Sequence, residues 1–369
     1  MKILVFRIGQ LGDTLVALPA MWAVRRHFNE AALSFLGDSH PGRKLVAAAD
    51  LLSGTGLFDS FLSYPAGRGA WGMPVRPLAM FALWRELRRR NFDALVYLAP
   101  SLRTAGQIQR DRAFFAAAGI RKFYGLTSFP RLPVRLPGQL MPAVAAEADL
   151  LLARLAADGI FVPAGLDRCF NLNLGEAETQ AVAAWRSGLP ADDARPWIGV
   201  GPGSKMPAKR WPADRFTRVI KSLVEHQGVW PVVFGGPEDQ AVGAEMIRHW
   251  GCGYNAAGAL GVRAAAAALA KCRLYLGNDT GTMHLAAAAG VRCVAVFSSR
   301  DHAGRWYPAG DGHLVFRSKI ACEGCRLVEC VERQNECLRL ISPEAVLAGC
   351  EAVLAGLPIN CDSPCHESR

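Results

Sequence analysis

Short apolar runs separated by amphipathic segments set the rhythm of this chain. In the second half, "WIGVG" (197–201), "WPVVFGG" (230–236), "RLYLG" (273–277) and "RCVAVFS" (292–298) lack polar alternation, as strands covered on both faces do. Segments 213–227, 238–250, 262–271 and 281–289 between them carry helical patterning. Such alternation predicts a parallel sheet wound by right-handed crossovers. The first half repeats the theme with "KILVFRI", "ALSFLGD" and "FDALVYLAP" as strands and helices starting near Asp13 and Pro77. The Pro-rich ribbon "GLTSFPRLPVRLPGQLMP" reads as an irregular excursion, and "AEADLLLARLAADGI" as a helix that closes the domain. A linker is expected from Phe161 to about Leu174, where Pro163 and Gly165 fall. The pattern gives two α/β domains, 1–170 and 171–357, and a loose tail, 358–369.

Composition agrees with two domains: 369 residues, 51% hydrophobic, supply material for two cores. The apolar runs are shorter than the roughly 20 residues of a membrane span, and the first is interrupted by Arg7, Gly9, Gln10, Gly12 and Asp13, unlike a signal peptide. A cytoplasmic location is expected. Eleven scattered cysteines suit reduced thiols rather than a disulfide framework. Charge is uneven: residues 1–170 hold 21 Lys and Arg against 12 Asp and Glu, a net of +9, whereas the remainder is close to neutral at +1. A basic half suits an anionic partner, and solvated arginines that merely aid solubility explain it equally well.

Four strand ends carry candidate chemistry. "GQLGDTLVALP" leaves the first strand through Gly9 and Gly12 and places Asp13 where a helix begins; this carboxylate fits a helix cap or a general base for a hydroxyl. It is not the dinucleotide fingerprint, and no Walker lysine follows. "GVGPGSKMPAKRWP" (199–212) ends another strand with Gly203, Ser204, Lys205, Lys209 and Arg210, where loop amides and ammonium groups suit a diphosphate. In "LGNDTGTMHLAAAAG" (276–290), Asp279, Thr280 and Gly281 stand at a helix start that favours an anion, and His284 lies one turn inside, as ligand or as a buried neutral ring. "VVFGGPEDQ" puts Glu238 after a strand end, as a ribose acceptor or an exposed helix-start acid.

Together, "RIGQLGDTLVALP", "GPGSKMPAKRWP", "VVFGGPED" and "GNDTGTMHLAAAAG" resemble glycosyltransferase family 9, the lipopolysaccharide heptosyltransferase family, in order and over most of the chain. The resemblance implies the GT-B fold, two Rossmann-like doubly wound parallel-sheet domains facing across a cleft, and inverting transfer of heptose from an ADP-sugar. By position it makes Asp13 the base and Lys209 a contact to the donor phosphates. Gly203, Ser204, Lys205, Thr280 and Gly281 line the donor site with His284, Asp279 orders the loop or touches the sugar, and Glu238 takes the ribose. Arg7 and Gly12 face an anionic acceptor. The last helix, from Pro343 to Ala355, is expected to pack back on the first domain. No cofactor and no metal are expected, since no acidic triplet is visible.

The basic half then becomes the acceptor domain, meeting phosphorylated saccharide on lipid at the cytoplasmic face of the inner membrane. "PLAMFALWRELRRRN" spaces Leu78, Phe81, Trp84 and Leu87 about a turn apart before Arg88 to Arg90, suiting either core packing or peripheral membrane contact. The chain departs from the family pattern after "VAVF", where it reads "SSRDHAGRWYPAG", which leaves another nucleotide sugar open. Cys322, Cys325, Cys330 and Cys337 begin as a CxxC pair, but their later spacings are not those of a paired zinc ribbon. A nucleotide-sugar epimerase of similar fold and a catalytically silent sugar-nucleotide-binding protein are the alternatives. Nucleic acid is disfavoured, because no stacking aromatics accompany the arginines.

Overall fold

The computed structural model describes residues 1–39, 46–65, 77–136, 139–166, 169–191 and 194–357. The expected tail, 358–369, lies outside them. The chain divides into two compact units: Met1–Leu132 with Ala145–Asn173, and Pro133–Val144 with the chain from Leu174 onward.

The first unit runs β1 (Lys2–Arg7), α1 (Leu11–Val16), α2 (Leu18–His27), β2 (Ala32–Ser39), α3 (Ala48–Leu52), β3 (Ser60–Pro65), α4 (Pro77–Arg90), β4 (Ala94–Tyr97), α5 (Ala105–Ala117), β5 (Lys122–Tyr124) and α6 (Glu147–Ala157). Its strands form a parallel sheet in the order β3-β2-β1-β4-β5. Ile3, Leu4, Val5 and Phe6 of β1 are buried because helices cover both faces of the central strand. The single helix expected to start near Asp13 is two, α1 and α2, parted at Ala17; Pro19 in the first turn of α2 has no N–H to continue the ladder.

The second unit runs α7 (Glu176–Ser187), β6 (Trp197–Gly201), α8 (Ala213–Gln227), β7 (Trp230–Val233), α9 (Gln240–Trp250), β8 (Tyr254–Asn255), α10 (Val262–Leu269), β9 (Leu274–Asn278), α11 (Gly281–Ala288), β10 (Cys293–Phe297), β11 (Leu314–Arg317), α12 (Glu336–Arg339) and α13 (Pro343–Leu354). Its parallel order is β11-β10-β9-β6-β7-β8. Counted from the first strand of each unit, both sheets start at the centre, add strands outward to one edge, and then cross back to the other side. That reversal falls between β1 and β4 in the first unit and between β6 and β9 in the second. In doubly wound sheets the ligand crevice lies outside the carboxyl ends of the strands at this reversal.

Two sequence expectations change. The last helix was expected on the first domain; instead α13 buries Val346, Cys350 and Val353 in the core of the second unit with Phe216, Val219 and Leu223 of α8. Its apolar stripe is thereby used locally. The Pro-rich excursion is also split, because residues 133–144 join the second unit. Three hydrogen bonds hold them there: His302 Nε2 with the Pro133 carbonyl at 2.8 Å, the Val144 N–H to the Ala303 carbonyl at 2.9 Å, and the Met141 N–H to Glu323 Oε2 at 2.8 Å.

Candidate functional site

At the reversal of the first sheet, Gly9 leaves β1 with φ +134°, and a Cβ there would collide with the Asp13 side chain. Only glycine lets the carboxylate fold back over the turn. Asp13 Oδ2 accepts the Gln10 N–H at 2.9 Å, and the Gly9 N–H goes to Asp38 Oδ1 at 3.0 Å. Arg7, the last residue of β1, is buried; its Nε donates to the Asp13 carbonyl at 3.0 Å, its Nη1 to the Leu98 carbonyl at 2.6 Å, and its Nη2 lies 3.6 Å from Asp13 Oδ1. The Arg7 side chain, expected to face an anionic acceptor, is buried, with its guanidinium turned to the Asp13 and Leu98 carbonyls. Arg7 positions Asp13, whose side chain remains 28% exposed. Gly12 lies within α1, one residue before Asp13.

The loop after β4 is held from the opposite side by two residues that the sequence reading missed. Arg154 of α6 is buried and donates to the carbonyls of Tyr97 at 2.6 Å, Ala99 at 2.8 Å and Gly125 at 3.2 Å. Burial pulls its guanidinium down to about 10. Glu147 Oε1 accepts the Ser101 N–H at 2.7 Å.

At the reversal of the second sheet, the loop after β6 lies beside the β9–α11 turn. Lys209 Nζ is 2.6 Å from Asp279 Oδ2, and both side chains are largely buried. Asn278, fully buried at the end of β9, ties the two together: its Oδ1 accepts the Trp211 N–H at 2.9 Å and its Nδ2 donates to the Pro202 carbonyl at 2.7 Å. Thr280 caps α11 without a side-chain hydrogen bond to a helix N–H, its Oγ1 instead pairing with Thr282 Oγ1 at 2.8 Å. Gly281 opens the helix. The structure thus brings Lys209, Asp279, Thr280 and Gly281 to one strand-end cluster whose N–H groups and ammonium suit a phosphate.

His284 sits inside this cluster, buried, with its ring edge-on to Trp306 at 6.5 Å. Burial brings its pKa down to about 4, partly opposed by Asp279 and reinforced by Lys209, so the ring is neutral near pH 7. Trp306 belongs to the divergent stretch "SSRDHAGRWYPAG", where Asp301 Oδ2 accepts the Trp306 indole N–H at 3.1 Å and lies 3.7 Å from the Arg305 guanidinium. Arg305 and the hydrogen bonds from His302 and Trp306 outweigh burial and hold the Asp301 carboxyl below its usual range.

Gly203, Ser204 and Lys205 form the outer part of the β6 loop. A Cβ on Gly203 would overlap the Asp239 side chain, so glycine permits the loop to lie against that acid. The Ser204 hydroxyl accepts the Met206 N–H at 3.2 Å and its carbonyl accepts from Arg210 Nε at 2.7 Å. Partial burial lowers the Lys205 ammonium, against the pull of Glu238 and Asp239. Glu238 stands exposed on the turn Pro237–Asp239. Asp239 went unremarked in the sequence; its Oδ2 accepts the Gly236 N–H at 3.0 Å, while burial pushes its carboxyl up.

Cys322, Cys325, Cys330 and Cys337 line one pocket with Arg300 and Arg333, as free thiols. Burial and the neighbouring thiols push Cys322 and Cys337 up. Among the described residues no group of three His, Cys, Asp or Glu side chains is set to hold a metal ion.

Two doubly wound parallel sheets, each with candidate site residues at its strand-order reversal, make the GT-B fold. Residues 80–335 match the family model described as glycosyltransferase family 9 (heptosyltransferase), and the chain belongs to that family. It is similar to lipopolysaccharide heptosyltransferase 2 of Escherichia coli, 32% identical over 43% of this chain and 47% of the relative. It is also similar to lipopolysaccharide heptosyltransferase 2 of Salmonella typhimurium, 26% identical over 96% of this chain and 99% of the relative. The chain therefore spans about half the length of the first of these and nearly all of the second. Among solved structures, a family 9 glycosyltransferase from Veillonella parvula superposes with a TM-score of 0.71 at 21% identity, covering 96% of this chain and 97% of that one. The E. coli ADP-heptose lipopolysaccharide heptosyltransferase II superposes with a TM-score of 0.68 at 21% identity, covering 96% and 99%. At such identities these superpositions establish the shared fold.

Proposed function

We propose that this chain transfers heptose from an ADP-heptose donor, with inversion at the anomeric carbon, onto a lipopolysaccharide core or related cell-surface glycolipid. The observation that carries this reading is the Lys209–Asp279 pair beside the start of α11, at the reversal of the second sheet in a family 9 chain. There the diphosphate meets the Lys209 ammonium and the amides that follow Thr280, and the exposed Glu238 receives the ribose hydroxyls. Asp13 takes the proton of the acceptor hydroxyl, the acceptor oxygen forms its bond to the anomeric carbon, and the bond from that carbon to the diphosphate breaks, the electron pair leaving on ADP. Charge on the leaving group is met by side chain and backbone, so the displacement needs no cofactor. The basic first half faces the anionic acceptor, and the enzyme works at the cytoplasmic face of the inner membrane.

Replacement Asp13→Asn tests the reading directly. Transfer falls by about two to four orders of magnitude, the range of a lost general base, while donor affinity holds. Unchanged transfer overturns the assignment, and sugar interconversion without any acceptor points to an epimerase. A thermal-shift screen of ADP-, GDP-, UDP- and dTDP-sugars identifies the donor, since a ligand at about 100 times its Kd adds about 2.7 kcal/mol of stability. A response confined to a base other than adenine removes ADP-heptose.

A further inference from the structure

Among the described residues of its own unit, none covers the outer face of helix α4 at Leu78 and Phe81. Its inner face is conventional: Leu83 and Leu87 are buried in the core with Leu95 and Phe115. On the outside, Leu78 is 82% exposed and Phe81 55% exposed, one turn apart at the start of the helix. Phe81 and Trp84 stack with ring centroids 5.6 Å apart. Further along the same face come Arg85, Arg88 and Arg89, all exposed, with the Arg88 guanidinium 5.2 Å from the centre of the Trp84 ring. The helix is therefore graded along its length, apolar at its first two turns and cationic at its last two. Glu86 offsets part of that charge by pairing with Arg89 at 2.8 Å and Arg90 at 2.7 Å, and Arg85 and Arg88 carry no such carboxylate in these pairs.

The geometry points to α4 as the element that seats this protein on an anionic lipid bilayer, Leu78 and Phe81 entering the headgroup boundary while Arg85 and Arg88 contact lipid phosphates. Three features select a membrane over a protein partner. Exposed leucine and phenylalanine beside a stacked tryptophan suit an apolar medium with a wet boundary. Arginine stems reach sideways along such a boundary while their charges stay at phosphate level. The surrounding half of the chain carries a net of +9, which draws it toward any anionic surface before contact. Among the described residues no helix is long and apolar enough to cross a membrane, so α4 lies on the surface. The inference rests on the proposed function only in that a lipid-borne acceptor gives the docking its use.

Sedimentation of the full chain with vesicles tests it, using phosphatidylcholine alone against phosphatidylcholine mixed with phosphatidylglycerol. The expected result is binding to the anionic vesicles, little to the neutral ones, and release at about 1 M salt, where charges are screened beyond about 3 Å. Arg85→Gln with Arg88→Gln weakens binding about thirtyfold, from about 1 kcal/mol per basic residue near such a surface. Leu78→Ser with Phe81→Ser weakens it at least tenfold even at low salt. All four positions are exposed, and circular dichroism with transfer to a deacylated, water-soluble acceptor confirms that each variant is folded and active. Wild-type binding that is absent, or that survives both double replacements, overturns the docking. A chain that binds vesicles normally but transfers sugar to no acceptor leaves the docking standing and refutes the proposed function instead.

Discussion

Replacing Asn278 with alanine separates the loop that carries Lys209 from the strand that ends beside Asp279. The side chain is fully buried and makes two hydrogen bonds, from the Trp211 N–H at 2.9 Å and to the Pro202 carbonyl at 2.7 Å. Alanine leaves both backbone groups without that partner, and each orphaned buried group costs about 1–3 kcal/mol, so the variant loses about 2–6 kcal/mol. For a unit of this size each kcal/mol lowers Tm by about 2–4 °C, which puts the central expectation near 12 °C. Because Trp211 follows Lys209 and Arg210 directly, the same change loosens the lysine and raises KM for the donor more than it lowers kcat. Urea unfolding followed by tryptophan fluorescence, with matched m-values, supplies the energy; steady-state kinetics supply the split. A loss below about 1 kcal/mol with unaltered KM would show that water replaces the amide without strain, and the reasoning about this tie would fail.

Other expectations follow from the same geometry. Lys209→Met strands the largely buried Asp279 carboxylate and costs about 3–5 kcal/mol; adding Asp279→Asn restores most of that stability while donor affinity, read by calorimetry, stays lost. Lowering the pH from 6.5 toward 4 protonates the unfolded His284 but not the buried native ring, whose pKa is about 4. Stability therefore falls as pH drops through that window, by about 3 kcal/mol in all, and His284→Gln flattens this part of the urea-midpoint profile. A profile that keeps its slope in the variant sinks the assignment. Gly9→Ala forces a Cβ into the Asp13 side chain at a φ of +134°, costing about 1–3 kcal/mol of strain and displacing the acid, so transfer drops while donor affinity measured by calorimetry does not.

The second unit was the more legible from sequence, and the reason is physical. Its central strands are buried on both faces, so β6, β9 and β10 appear as unbroken apolar runs, and α8 begins and ends where its periodicity says. β3 and β5 gave no such signal: β3 is half-exposed along its length and β5 has only three residues. The site divides in the same way. Asp13, Lys209, Asp279 and Thr280 are recognisable because glycine turns and helix starts are local in sequence. Arg7 was singled out, but its tie to the Leu98 carbonyl, 91 residues away, was not visible. Asn278 and Arg154 form their hydrogen bonds with such distant backbone groups, which no local pattern reveals. The stripe of α13 showed that the helix is buried, and only packing shows against which sheet.

One design principle links the two units. Each sheet reverses its strand order beside a charged side chain, a carboxylate in the first and an ammonium in the second, and each charge is restrained by a buried group of opposite sign: Asp13 by Arg7, Lys209 by Asp279. A side chain held in this way loses little conformational freedom when substrate arrives, which lowers the entropic cost of reaching the reactive arrangement. Restraint also sets a competition. Under the proposed function, a diphosphate entering beside α11 shares the Lys209 ammonium with Asp279, so the energy with which donor binds is the surplus over an ion pair already present. The Lys209 and Asp279 replacements measure that surplus: if the pair only braces the loop, Asp279→Asn weakens donor binding, whereas if competition dominates, the freed lysine binds donor more tightly.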